Sequence, residues 1–215
     1  MIIDLSHIYH AKMQTYSKWH SKFKLLKLAS IKKQGRETKK IIMGSHCGTH
    51  IDAPRHFLPS GKTIEKININ NLIGLAEIIK FKNMPKNYEI SCEDLINKIK
   101  FKNLKKIIFN FGWDKFYGKK KFYKDHPFLS LKACEWLVAN KYHLIGMDSA
   151  QIEDCRIKSK TKFDGQNHKI LLKSGIILLE YLKNLDKIKK KKFKLLVAPL
   201  NLKGSDGSPA RCFAI

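Results

Sequence analysis

The stretch Ser45-His46-Cys47-Gly48-Thr49-His50-Ile51-Asp52-Ala53-Pro54-Arg55-His56-Phe57 decides how the rest of the chain is read. Pro54 disfavours helical geometry at Ala53, and Thr49 and Ile51 are β-branched, so residues 46–53 are expected to be extended. Alternate side chains of an extended segment share a face. That predicts His46, Gly48, His50 and Asp52 on one side, with Gly48 leaving a gap between two imidazoles. Two neutral imidazoles and a carboxylate form a mixed nitrogen and oxygen set, which suits zinc, manganese or ferrous iron better than calcium. A tight turn at Pro54 would carry His56 toward the same place. A lone histidine is usually an ordinary loop residue, but three of the chain's nine fall in this segment around one carboxylate. Cys47 points to the opposite face of an extended segment, which assigns it to packing rather than attack.

A second piece lies downstream, where Asn167-His168-Lys169 and Ser174-Gly175 precede the apolar run from Ile176 to Leu182. Glu180 is the only charge in that run. A carboxylate at a core position is costly unless it is paired, protonated or bound to a metal, although alternation could also turn it to solvent. His168, on the approach to the run, could supply a further nitrogen ligand.

The chain has 215 residues and 43% apolar content, enough for one respectable core, and nothing in it marks a domain boundary. One domain spanning residues 1–215 is expected. Runs rich in β-branched residues predict strands at Ile41–Met43, Leu75–Phe81, Lys106–Phe111, His143–Met147, Ile176–Leu182 and Phe193–Leu200. Ser91 with Asp94 reads as a capping box ahead of a helix, and Ser130 can cap the helical pattern of Leu131, Cys134, Leu137 and Val138. Strands outnumber helices in a mixed order, which predicts an α/β or α+β domain with a substantial, partly antiparallel sheet.

The formal net charge of +25 would by itself suggest nucleic acid or an anionic membrane surface. Nearly all of it is Lys spread along the chain, and Arg occurs only at 36, 55, 156 and 211, so a solvated basic surface without specific nucleic-acid binding is expected. The start lacks the pattern of a secretory signal, and no apolar run approaches the roughly 18 residues of a membrane span. Five scattered cysteines without a C-x-x-C pair argue against a disulfide framework, so a soluble protein of the reducing cytoplasm is expected.

With both pieces in view, the chain resembles the cyclase-like metal hydrolase family, which includes bacterial kynurenine formamidase and isatin hydrolase. The family's H-x-G-T-H-x-D-x-P-x-H-F motif is matched at His46, Gly48, Thr49, His50, Asp52, Pro54, His56 and Phe57. Asp4-Leu5-Ser6-His7 is similar to its opening strand, Gly146-Met147-Asp148 to its central G-x-D, and the stretch from Gly204 to Arg211 to its closing segment. The resemblance implies a swivelling β/β/α fold with a mixed, partly antiparallel sheet. It implies one or two divalent ions, zinc or manganese, per subunit: His46, His50 and Asp52 would hold one, and Asp52, Glu180 and His168 a second. It gives His56 the role of general acid/base, and it implies a small-molecule substrate and a homodimer or higher oligomer. Tyr16 would contact substrate, with Trp19 close by. The family's M-P-x-W-P or M-P-x-Y-P stretch is replaced here by Met13-Gln14-Thr15-Tyr16-Ser17 followed by Trp19-His20, so the substrate need not be that of the formamidases. The expected chemistry is hydrolysis of an amide, formamide or cyclic amide. A lactonase or dehydratase on the same metals, or a non-catalytic basic binding protein with this fold, are the alternatives.

Overall fold

The computed structural model describes residues 1–17 and 20–215. In chain order the strands are β1 (Ile3–Asp4), β2 (Lys24–Ala29), β3 (Thr38–Ile42), β4 (His50–Asp52), β5 (Ile73–Lys80), β6 (Glu89–Ile90), β7 (Lys106–Asn110), β8 (Phe128–Leu129), β9 (Leu144–Met147), β10 (Ile177–Glu180), β11 (Lys192–Pro199) and β12 (Gly207–Ala214). The helices are α1 (Ile31–Gln34), α2 (Cys92–Lys98), α3 (Lys120–Lys124), α4 (Leu131–Ala139) and α5 (Gln166–Lys173).

Eight strands form one sheet in the order β1-β12-β11-β5-β7-β9-β10-β4, and a further pairing of β12 with β4 closes it into a barrel. The stretch β5-β7-β9-β10 is parallel, and the other pairings of this sheet are antiparallel. Parallel strands need crossovers and are covered on both faces, which is why β7 and β9 read as unbroken apolar runs. Ile107 and Phe109 face the helices with Leu95, Leu137 and Leu171, whereas Ile108 and Leu144 fill the barrel with Leu5, Leu195 and Cys212. The mixed α/β architecture with a partly antiparallel sheet agrees with the sequence reading.

Local signals hold where they are strong. Ser91 Oγ accepts the Asp94 backbone N–H at 3.0 Å while Asp94 Oδ2 accepts that of Ser91 at 3.0 Å, a reciprocal cap on α2. Ser130 caps α4 through the Ala133 N–H at 3.1 Å. One expectation is corrected. Residues 46–53 are not one extended run: only His50–Asp52 is a strand, and Gly48 sits at φ +59° in the turns before it. A side chain there would meet the Tyr9 ring at 2.9 Å, so Gly48 makes room for Tyr9 rather than for a gap between imidazoles. The approach to β10 is helical, and His168 lies on α5.

Among the described residues the strand expected near Ile41 pairs only with β2, forming a hairpin outside the barrel. Leu25, Leu26, Leu28 and Ile41 are exposed on it. No helix of the described residues is long and apolar enough to cross a membrane.

Candidate active site

Ile51 and Leu179 point into the barrel, so their neighbours His50, Asp52 and Glu180 emerge on the opposite face. Antiparallel pairing sets Glu180 directly across from His50 and Leu178 across from Asp52. His168 comes down from α5 onto the same patch. His50 Nε2 lies 3.3 Å from Asp52 Oδ1 and 3.6 Å from Glu180 Oε2. His168 Nε2 lies 3.6 Å from Asp52 Oδ2 and 3.5 Å from Glu180 Oε1. All four side chains are buried.

Hydrogen bonds on the far side of each ring fix what these nitrogens can do. His50 Nδ1 donates to the Gly48 carbonyl at 2.8 Å, and His168 Nδ1 donates to Glu153 Oε1 at 2.8 Å. In a neutral imidazole each Nε2 is then a bare acceptor facing carboxylate oxygens that are acceptors too. Asp52 Oδ1 and Glu180 Oε1 are fully buried and accept no well-directed hydrogen bond from the described residues. With the rings neutral, acceptors converge here, and either a cation or protons drawn onto the imidazoles must resolve that conflict; the residues present fit a divalent metal. Two overlapping groups have ligand atoms within 4.8 Å of one another, His50-Asp52-Glu180 and His46-Asp52-His56.

His46 reaches the patch from the turn before β4, with Nδ1 2.8 Å from Asp52 Oδ1 and Nε2 2.8 Å from Asp206 Oδ2. The 3-10 turn Pro54–His56, with Pro at its first position, swings His56 back over the strand, and the His46 and His56 ring centres are 3.9 Å apart. His56 Nδ1 shares the same Asp206 oxygen at 3.2 Å. With no cation bound, burial opposes charge on His46 and His168, but the carboxylates outweigh it and push both up to about 10. Burial and the Asp52 charge push Glu180 up, while the imidazoles, against burial, hold Asp52 well below the usual carboxylate range. Hydrogen bonds from His46 and His56 likewise lower Asp206. A cation bound here must displace imidazole protons, so its affinity rises with pH.

The patch floors a cavity of about 450 Å³ whose wall includes Tyr16, His20, Phe57, Gln151 and Tyr181. Tyr16, expected to contact substrate, lines this cavity, its hydroxyl accepting from Gln151 Nε2 at 2.9 Å. Trp19 lies outside the described residues. Cys47 is buried beside Met13 and Phe23, and burial pushes its thiol up to about 11, as a packing role requires. Sequence reasoning missed Glu153, Gln151 and Asp206. Asp206 stands in the quoted closing segment, which gave it a place but no role. No periodicity or spacing ties Glu153 to His168.

The sequence model of the Cyclase family matches residues 3–154. A kynurenine formamidase of Geobacillus thermodenitrificans is 31% identical over 172 residues, 80% of this chain and 76% of that protein. Cyclase-like protein 2 of Arabidopsis thaliana is 29% identical over 226 residues, 100% of this chain and 79% of its own. Among solved structures, an isatin hydrolase bound to the product analogue thioisatinate superimposes with a TM-score of 0.85 at 19% identity, covering 99% of this chain and 91% of that one. A potential metal-dependent hydrolase with cyclase activity gives a TM-score of 0.78 at 24% identity, covering 100% and 96%. Motif, barrel and sequence match agree, and the chain belongs to the Cyclase family.

Proposed function

We propose that this protein is a divalent-metal-dependent hydrolase of an amide, formamide or cyclic amide. The observation that carries the reading is the set of bare imidazole nitrogens and unpartnered carboxylate oxygens on the floor of an open cavity. His46, His50 and Asp52 would hold one ion, with Asp52, Glu180 and His168 holding a second, and zinc or manganese suits the mixed donors. Such ions polarise a carbonyl and lower the pKa of a water toward about 7.

The chain's own groups supply the rest. Glu153 and the Gly48 carbonyl fix the rings of His168 and His50, so that their Nε2 atoms stay aimed at the patch. His56 is less enclosed than His46, with 22% against 9% of its side chain exposed, and it lines the cavity. That openness supports a proton-transfer role, in which His56 takes up a proton and returns it to the departing nitrogen, typically worth about 10²–10⁴-fold. Tyr16 supports an aromatic or planar substrate at the mouth. The reading takes residues 1–215 as one domain, because β1 and β12 from the two ends of the chain pair side by side.

The apolar hairpin β2/β3 supports a homodimer in which that arm is covered, and five free cysteines fit the cytoplasm. The testing experiment is turnover of aryl formamides, isatin-like cyclic amides and lactones before and after chelation and re-addition of zinc or manganese. Metal-restored amide cleavage supports the reading. Turnover of lactones with no amide cleaved overturns it.

A further inference from the structure

We infer that Asp206 is a positioning residue whose single oxygen Oδ2 fixes the tautomers of two histidines at once, His46 for holding the cation and His56 for proton transfer. The inference rests on the proposed metal-dependent reading for its meaning, but not for its test.

A carboxylate oxygen only accepts, so both contacts to Asp206 must come from ring N–H groups. In the metal-loaded protein, where His46 carries one ring hydrogen, the 2.8 Å contact places it on Nε2, which leaves Nδ1, 2.8 Å from Asp52 Oδ1, free to hold the cation. The 3.2 Å contact places the His56 hydrogen on Nδ1, which leaves Nε2 as the acceptor of that ring. The two histidines therefore present opposite nitrogens, each chosen by the same atom. His46 Nδ1 also lies 2.8 Å from Asp52 Oδ1, a contact the cation would take over once bound, so Asp206 is left as the carboxylate that holds the His46 hydrogen.

The fold builds this contact through the closing seam of the barrel. Asp206 immediately precedes β12, and Gly207 pairs with Asp52 on β4. The Asp206 carbonyl accepts the Ala53 N–H at 2.9 Å, so the backbone at 206 is tied to the strand that carries the ligands. Gly207 allows the approach, because a side chain there would stand 2.6 Å from His46 Cε1. In sequence Asp206 lies 160 residues beyond His46, and strand pairing brings them together. A carboxylate behind a metal-binding histidine typically contributes about 10–100-fold to metal affinity. Here the same carboxylate also orients the proton-transfer ring, so one substitution should lower two quantities that are measured separately.

The test uses the zinc-loaded wild type and the variants Asp206→Ala and Asp206→Glu. Imidazole ¹⁵N spectra of the wild type should show Nε2–H on His46 and Nδ1–H on His56. The reverse tautomer at either ring overturns the inference, and this readout needs neither a substrate nor a variant that folds. Chelator competition should show zinc affinity about 10–100-fold weaker in Asp206→Ala. At saturating zinc its kcat should still fall at least about 10-fold, with KM changed much less, and Asp206→Glu should recover part of both losses. Affinity equal to wild type, or a zinc-saturated kcat equal to wild type, overturns the shared role. If the protein cleaves no amide at all, the proposed function fails while the tautomer and affinity results still decide the place of Asp206.

Discussion

Glu180 on β10 stands directly opposite His50 on β4, and Oε2 of the one lies 3.6 Å from Nε2 of the other with both buried. An ordinary strand pair would fill these positions with apolar side chains. The cost of placing a carboxylate there is offset once a cation joins the two groups. Chelation should therefore lower the melting temperature of the wild type, by an amount that grows with the free metal concentration it replaces. Glu180→Leu should lose the part of this dependence that belongs to the ion held by Asp52, Glu180 and His168, and thermal melts with and without chelator check it. A chelator-dependent shift of wild-type size in Glu180→Leu would contradict the assignment.

At His56, proton transfer is separate from metal holding. His56→Ala should keep most of its metal and lose about 10²-fold in turnover of an unactivated amide. A nitrophenyl ester, whose leaving group needs no proton, should be much less affected. Metal loss as complete as in His50→Ala would make His56 a ligand instead, which its place in the His46-Asp52-His56 group allows geometrically.

Acid should destabilise the protein through histidines remote from the metal patch. His7 is held down to about 4 by burial and by the neighbouring Lys183 and His10 charges, and His126 is lowered by complete burial. Unfolding restores both toward 6.5, so the unfolded chain binds more protons below that pH. The stability these groups contribute is complete above about pH 6.5 and drains away as pH falls toward about 4. His7→Phe, which keeps a ring against Tyr117 where the His7 ring centre now lies 4.1 Å away, should flatten the melting-temperature slope in that window. An unchanged slope in both His7→Phe and His126→Asn would refute this.

Cys47 lies inside the motif yet packs on Met13, with the two sulfurs 3.7 Å apart. Cys47→Ala should leave turnover within about 2-fold and cost about 1 kcal/mol of stability, the scale of a small core truncation. Loss of activity in a folded Cys47→Ala protein would return the thiol to the chemistry.

Binding to DNA should be weak and should fade between low and physiological salt, because the Lys charge is diffuse. Mobility shifts across a salt series read this directly. Sequence-selective binding that survives physiological salt would show the basic surface to be a reader.

What was legible in the sequence was what short-range chemistry encodes. The Ser91 and Ser130 caps, the apolar runs of β7 and β9, and the His-x-Asp pair on β4 each depend on neighbours within a few residues. The cluster itself was visible because His50 and Asp52 share a strand face and Pro54 turns His56 back. The parts that were not legible are set by barrel closure. Asp206 meets His46 only because β12 pairs with β4, and Glu153 meets His168 only because α5 settles over the preceding loop. Gly48 was misread because alternation was extended into a turn, where its left-handed φ ends the strand pattern.

The most direct test of the metal centre is elemental analysis of the purified protein beside Asp52→Ala, since Asp52 is the carboxylate common to both ligand groups. The wild type should carry one or two divalent ions per subunit, and folded Asp52→Ala should carry almost none and cleave no amide. Wild-type metal content in Asp52→Ala, or undiminished amide cleavage by a wild type stripped of metal, would contradict the account.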